Sequence, residues 1–158
     1  MDMITNKTKI LFLDIDGVLN NFKWSLIQPP GLMYRTINDL DPENMKHLSK
    51  LLKAHPEVKI VVMSDWRKLM SLNELKSIFS NFEINPDQII GYTPAVARSQ
   101  NREDKVLLFL QDNPCDDHAL VDNDDFFNQL KPKLALTDPA IGLDEESINK
   151  IKSVLNLS

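Results

Sequence analysis

Cysteine is nearly absent: Cys115 is the only one in 158 residues. No internal disulfide can form, and a reducing compartment is expected. Histidine is scarce as well, at three, and no His or Cys cluster with metal-ligand spacing occurs, so a zinc site is not indicated. Long apolar runs are missing. Nothing approaches the ~18 consecutive apolar residues of a membrane-spanning helix, and the N-terminus has no short apolar stretch ahead of a cleavage site. The expectation is a soluble, cytoplasmic chain with no membrane partner. Basic charge is also in short supply, with 18 Lys and Arg against 23 Asp and Glu and a net charge of −5. Basic residues occur at most in isolated pairs. That argues against a broad nucleic-acid-binding surface, though not against a small site for a nucleic-acid end. Repeats and low-complexity tracts are absent too.

What remains is ordinary globular composition, 42% hydrophobic and 26% charged. The length suits one domain over 1–158, with a core from 9 to 155. The organising stretch is residues 10–20. An apolar run from Ile10 to Leu13 breaks into Asp14, Ile15, Asp16 and Gly17. Such a run fits a strand buried on both faces, as in a parallel sheet covered by helices. Side chains alternate along a strand, so Asp14 and Asp16 point one way and Ile15 the other. Gly17 permits a sharp turn. Two carboxylates at the carboxyl end of such a strand sit where open α/β sheets bind ligands. Their mutual repulsion is relieved by a divalent cation, and an oxygen-only site favours Mg²⁺. One carboxylate can then attack phosphorus while the other moves a proton.

The rest of the chain alternates strands and helices. Asp41-Pro42 starts a helix with Met45, Leu48, Leu51 and Leu52 on its apolar stripe. Val58 to Met63 is a strand that delivers Ser64, Asp65, Trp66 and Arg67. Ser71 and Glu74 form a capping box for the next helix. Ile89 to Tyr92 is a third strand, and a helix follows from about Glu103 to Asp112. His118 to Val121 runs into Asp122, Asn123, Asp124 and Asp125. A short helical turn is expected over Phe126–Leu130, then a strand at Lys133–Leu136 and a last helix capped by Asp144. The pattern predicts an α/β fold, a parallel sheet with helices on both faces. Residues 20–40 read as a loop region: either a loop folded on the domain edge or a flap contacting substrate through Trp24 or Tyr34.

DIDGVLN resembles the first motif of the haloacid dehalogenase (HAD) superfamily of phosphatases and phosphotransferases. Ser64-x-Trp66-Arg67, GYTP at Gly91–Pro94 and the LTDPAxGL stretch are similar to a small branch of it, the HAD domains of Swiss Army Knife RNA repair systems. The resemblance implies a three-layer, Rossmann-like five-stranded sheet in the order 5-4-1-2-3, without a cap domain. It implies a Mg²⁺-dependent phosphatase working through an aspartyl-phosphate on Asp14, with Asp16 as general acid/base and Ser64 bonding the transferred phosphoryl group. A basic residue near the start of the helix from about Glu103 to Asp112 is implied: Arg102 fits best, Lys105 second, Arg98 third. Metal ligation is implied for Asp14, Asp16 and Asp122, with Asp124 or Asp125 in support. The family often has Asp where this chain has Asn123, which leaves the second ligand of that strand end open. Asn20, Trp24 and Arg67 are candidates for substrate contact, and Arg67 equally for a structural ion pair. Lack of a cap suits an exposed or polymeric phosphate, a nucleic-acid end or a phosphoprotein. A non-catalytic or regulatory binding module of the same fold, and a phosphotransferase to an acceptor other than water, are the alternatives. A receiver-type signalling domain would carry an acid after the third strand, where Gly91, Tyr92 and Thr93 stand.

Overall fold

The computed structural model describes residues 8–28 and 37–158. Five strands, β1 (Lys9–Leu13), β2 (Val58–Val62), β3 (Ile89–Tyr92), β4 (Asp117–Asp122) and β5 (Leu134–Leu136), form one parallel sheet. Its order is β3-β2-β1-β4-β5, the expected 5-4-1-2-3 read from the opposite edge. The central strand shows why a continuous apolar run forms here. Leu11 and Leu13 face one core, while Ile10 and Phe12 face another, all essentially inaccessible. Period-two alternation with both faces covered leaves no room for a polar residue until the strand ends.

Among the described residues there are five α-helices, α1 (Phe22–Leu26), α2 (Pro42–Ala54), α3 (Leu72–Ser80), α4 (Arg102–Asp112) and α5 (Glu145–Val154), of which the last four cover the sheet. Helices α2, α3 and α5 share the core of Leu11 and Leu13 through Leu48, Phe79 and Ile151. Helix α4 covers the other face with Val106, and its Phe109 meets Phe12 edge-on, ring centroids 5.7 Å apart. The caps are those expected from sequence. Asp41 accepts the Glu43 N–H, and Ser71 and Glu74 complete a reciprocal capping box. Such caps typically contribute about 1 kcal/mol each. No helix among the described residues is long and apolar enough to cross a membrane.

Two local expectations need correction. Residues 20–40 are not all loop: Asn21 caps α1 by accepting the Trp24 N–H, and a 3-10 turn spans Ile37–Asp39. Helix α1 buries none of its five residues, so it carries no apolar stripe for periodicity to detect. Pro29, Pro30, Gly31, Leu32 and Tyr34 lie outside the described residues. The helical turn expected over Phe126–Leu130 forms instead at Lys131–Lys133. Phe127 and Leu130 do pack inward, but Phe126 faces out, and the N–H groups of Asn128 and Leu130 go elsewhere. Both donate to the carboxylate of Glu103, at 2.8 Å each. This buried acid on α4 supplies the acceptor that a helix would otherwise provide.

Candidate active site

Strand β1 pairs with β2 on one side and β4 on the other, so the chain reverses its winding direction at this point. Crevices outside the carboxyl ends of strands at such a reversal are where α/β sheets bind ligands. The register makes the convergence explicit. Leu13 stands beside both Val62 and Val121, which puts Asp14, Met63 and Asp122 level with one another. Above them opens a cavity of about 580 Å³, lined by Asp14, Asp16, Ser64, Arg102, Asn123 and Asp124 together with residues of the α1 region.

Asp14 is 5% exposed, and its backbone N–H is tied to Val121 O at 3.1 Å. Its carboxyl is pushed up from 3.8 to about 8, first by burial and then by repulsion from Asp122; Arg102 opposes both. The arginine sits in the first turn of α4, and its Nη1 lies 2.6 Å from Asp122 Oδ2 and 3.3 Å from Asp14 Oδ1. One guanidinium therefore bridges the two acids, and their attraction raises the pKa of Arg102 against the opposing pull of burial.

Asn123 fills the space between the two acidic strand ends. Its amide terminus lies 3.1 Å from the backbone oxygen of Asp16, 3.2 Å from Asp14 Oδ2 and 3.3 Å from Asp122 Oδ1. With its nitrogen turned toward them, it donates to all three. The oxygens it gathers, from the Asp14 and Asp122 carboxylates and the Asp16 carbonyl, are the hard, oxygen-only donors that a cation such as Mg²⁺ takes. The set is two carboxylates, a carbonyl and an amide. Among the described residues there is accordingly no cluster of three or more His, Cys, Asp or Glu side chains of metal-binding type.

Gly17 explains how Asn123 gets in. Its φ is +83°, and a Cβ there would come within 2.6 Å of Asn123 Cγ. The turn needs glycine both for its left-handed backbone and for the amide behind it. Thr137 pins the same turn, its hydroxyl donating to Gly17 O at 2.8 Å.

Asp16 lies in the turn after β1, at the cavity wall. Its Oδ1 accepts from Asn20 Nδ2 at 2.9 Å and from Trp66 Nε1 at 3.0 Å. Asn20 is itself fixed, because its Oδ1 accepts the Gly17 N–H at 2.8 Å. Ser64 follows β2, is buried, and accepts the Trp66 N–H through Oγ at 3.2 Å. Ser64 thus caps a 3-10 turn, Asp65–Lys68, and lines the cavity.

The remaining predicted residues separate by position. Lys105 stands one turn beyond Arg102 and does not line the cavity; burial first, then the charges of Arg67 and Lys68, lower its pKa. Arg98 is exposed in a turn with φ +66° and is also outside the lining. Arg67 donates to the Thr93 carbonyl at 2.8 Å, a structural contact. Trp24 lines the cavity and anchors its indole N–H on Asn38 O at 2.8 Å. Asp124 reaches the rim, its N–H donating to Asp122 Oδ1 at 3.0 Å. Asp125 turns outward to Lys131, 3.3 Å away. Asp138 makes a turn, accepting the Ala140 N–H at 2.9 Å. Sequence reasoning did not assign Trp66 or Thr137, and it treated Asn123 only as a departure from a pattern. Trp66 and Thr137 lay inside motifs already singled out, but what each of them and Asn123 touches is visible only once the strands are docked.

Comparison with known proteins agrees with this fold. The solved HAD domain of effector protein Lem4 from Legionella pneumophila is 20% identical, with a TM-score of 0.57. The match covers 94% of this chain and 96% of that one, and it shows a common fold. No curated protein matches the sequence. Residues 10–148 match the family described as the HAD domain in Swiss Army Knife RNA repair proteins. The match spans both acidic strand ends, Ser64 and Arg102, and the chain belongs to that family.

Proposed function

We propose that this protein is a Mg²⁺-dependent phosphatase that works through an aspartyl-phosphate on Asp14. The observation that carries the reading is the meeting, in one cavity, of a buried carboxylate paired with Arg102 and a second carboxylate held by two N–H donors. Asp14, Asp122, the Asp16 carbonyl and Asn123 would hold the ion, which when bound neutralises phosphoryl oxygens and favours ionised Asp14. Asp14 attacks phosphorus while Asp16 gives its proton to the departing oxygen. Asp16 then takes a proton from water, which cleaves the aspartyl-phosphate and frees inorganic phosphate. Ser64 and Arg102 steady the phosphoryl oxygens, where positioning and charge supply most of the rate.

The substrate proposed is an exposed phosphate on a polymer, with a nucleic-acid end ahead of a phosphoprotein. Two features support it. The connection between β3 and α4 holds no further helix or strand and adds no second core. The matched family is described by its place in RNA repair proteins. The test is phosphate release from p-nitrophenyl phosphate with Mg²⁺ or EDTA, for wild type and Asp14→Asn. Turnover that needs both metal and Asp14 is expected. Equal release by Asp14→Asn would remove the nucleophile from the scheme.

A further inference from the structure

Basic residues are sparse along the chain and never form a run, yet the fold gathers several at one side of the cavity mouth. Arg67 and Lys68 lie on the 3-10 turn after β2, and Arg102 and Lys105 lie in the first turns of α4. The two elements meet at the cavity, which Asp65 and Arg102 both line. Arg102 is occupied there by Asp14 and Asp122. Lys105 is its neighbour at i, i+3, where Cβ atoms stand about 5–6 Å apart, and it lies outside the lining. After burial, the charges of Arg67 and Lys68 do most to lower the pKa of Lys105, which places the three together. Among the described residues neither Arg67 nor Lys105 forms an ion pair. Arg67 gives one N–H to the Thr93 carbonyl, which ties the turn to the end of β3, and it keeps its charge. Lys68 meets Asp65 at 3.4 Å, but both side chains are largely exposed, and such a pair contributes little. Across β1 the rim carries Asp124 instead. The mouth is therefore polarised, and a polyanion leaving the cavity is drawn to the β2 side and repelled from the β4 side.

We infer that Arg67, Lys68 and Lys105 form a subsite for the phosphate one residue along a strand from the phosphate being removed. The preferred substrate is then a phosphorylated strand end with at least one internal phosphodiester, ahead of a mononucleotide. This rests on the phosphatase reading above and narrows its substrate. Arg102 serves the reacting phosphate, and the adjoining diester meets Lys105 on the same helix and the turn that carries Arg67 and Lys68. Each such contact releases counterions, so binding weakens with salt. Three cations neutralise a phosphate or two and no more, which suits a strand end in a chain of net charge −5. The subsite touches no reacting atom, so its loss is read in KM more than in kcat.

Steady-state kinetics with fixed Mg²⁺ test this. The substrates are an oligothymidylate with a 5′- or a 3′-phosphate, the matching thymidine monophosphate, a phosphopeptide, and p-nitrophenyl phosphate as the report on chemistry. Wild type should favour one of the oligonucleotides over its monophosphate by ~10-fold or more in kcat/KM at low salt, and the preference should shrink as salt rises. Combining Lys68→Ala with Lys105→Ala should raise KM for that oligonucleotide ~10-fold, flatten its salt slope by about 1, and shift the monophosphate under ~3-fold. Arg67 is left in place because its Thr93 bond holds the turn, and a thermal melt reports on folding. If the pair lowers the melting temperature, each single substitution is read in the same way. A wild type that treats oligonucleotide and monophosphate alike overturns the inference and leaves the phosphatase reading in place. So does a double variant that loses equally on both, or a wild type that prefers the phosphopeptide. A wild type inactive on every ester overturns the phosphatase reading together with this one.

Discussion

The loop after β1 and the loop after β4 are both acidic, yet they use their acids differently. In the first, Asp14 and Asp16 both line the cavity, two residues apart. In the second, four consecutive polar residues fan out. Asp122 is fully buried against Arg102, Asn123 enters between the strands, Asp124 reaches only the rim, and Asp125 leaves for Lys131. The neutral residue goes deeper than two of the charged ones. Register against β1 selects which side chains enter, and formal charge does not.

Substitutions can break this comparison. The largest effect is expected at Asp122. Asp122→Ala removes an oxygen of the candidate cation site and the 2.6 Å partner of Arg102, and turnover should fall by ~10³-fold or more in steady-state assays. Next comes the cation that joins the loops. Arg102→Ala should cost ~10²-fold in turnover, while Lys105→Ala and Arg98→Ala, outside the cavity, should stay within ~3-fold; the reverse order would reassign the basic role. Asn123→Asp then sharpens the contrast. A third carboxylate beside Asp14 and Asp122 should lower the melting temperature in EDTA and shift the Mg²⁺ midpoint of a thermal titration several-fold lower.

The pH dependence of stability is a smaller effect with a definite sign. The Asp14 carboxyl rises from 3.8 to about 8 on folding without metal. Between those values the folded chain holds a proton that the unfolded chain has released, so this group makes stability fall as pH rises across the window. In EDTA, Asp14→Asn should therefore melt above wild type at pH 8, by at least ~1 kcal/mol, with the gap narrowing toward pH 4. Saturating Mg²⁺ should reverse the order at pH 8. Smallest of all, Asp125→Ala should change turnover by less than ~2-fold, since a surface ion pair contributes little.

Much of this was legible in the sequence because strands advertise themselves. Apolar runs ending in Asp14, Ser64 and Asp122 located the strand ends that carry the candidate site, and capping residues located most of the helices. The cation was legible only as a choice among three, because a helix start exposes several side chains and only docking shows which faces inward. Asn123 was read only as a departure from a pattern for a related reason: an amide announces no chemistry until three oxygens are seen around it. Helix α1 escaped because it buries nothing, and the turn near Phe127 shifted because Glu103, a residue with no apparent role in a linear reading, takes its N–H groups.

That glutamate stands next to Arg102, and the adjacency has a consequence for anyone moving this chemistry into another scaffold. Two consecutive residues of α4 grip opposite ends of one connection: Arg102 holds Asp122 where the loop begins, and Glu103 holds Asn128 and Leu130 where it ends. The helix and the acidic loop are therefore a single transplantable part. A graft that copied the acids and left α4 behind would carry the charges without the brace that spaces them.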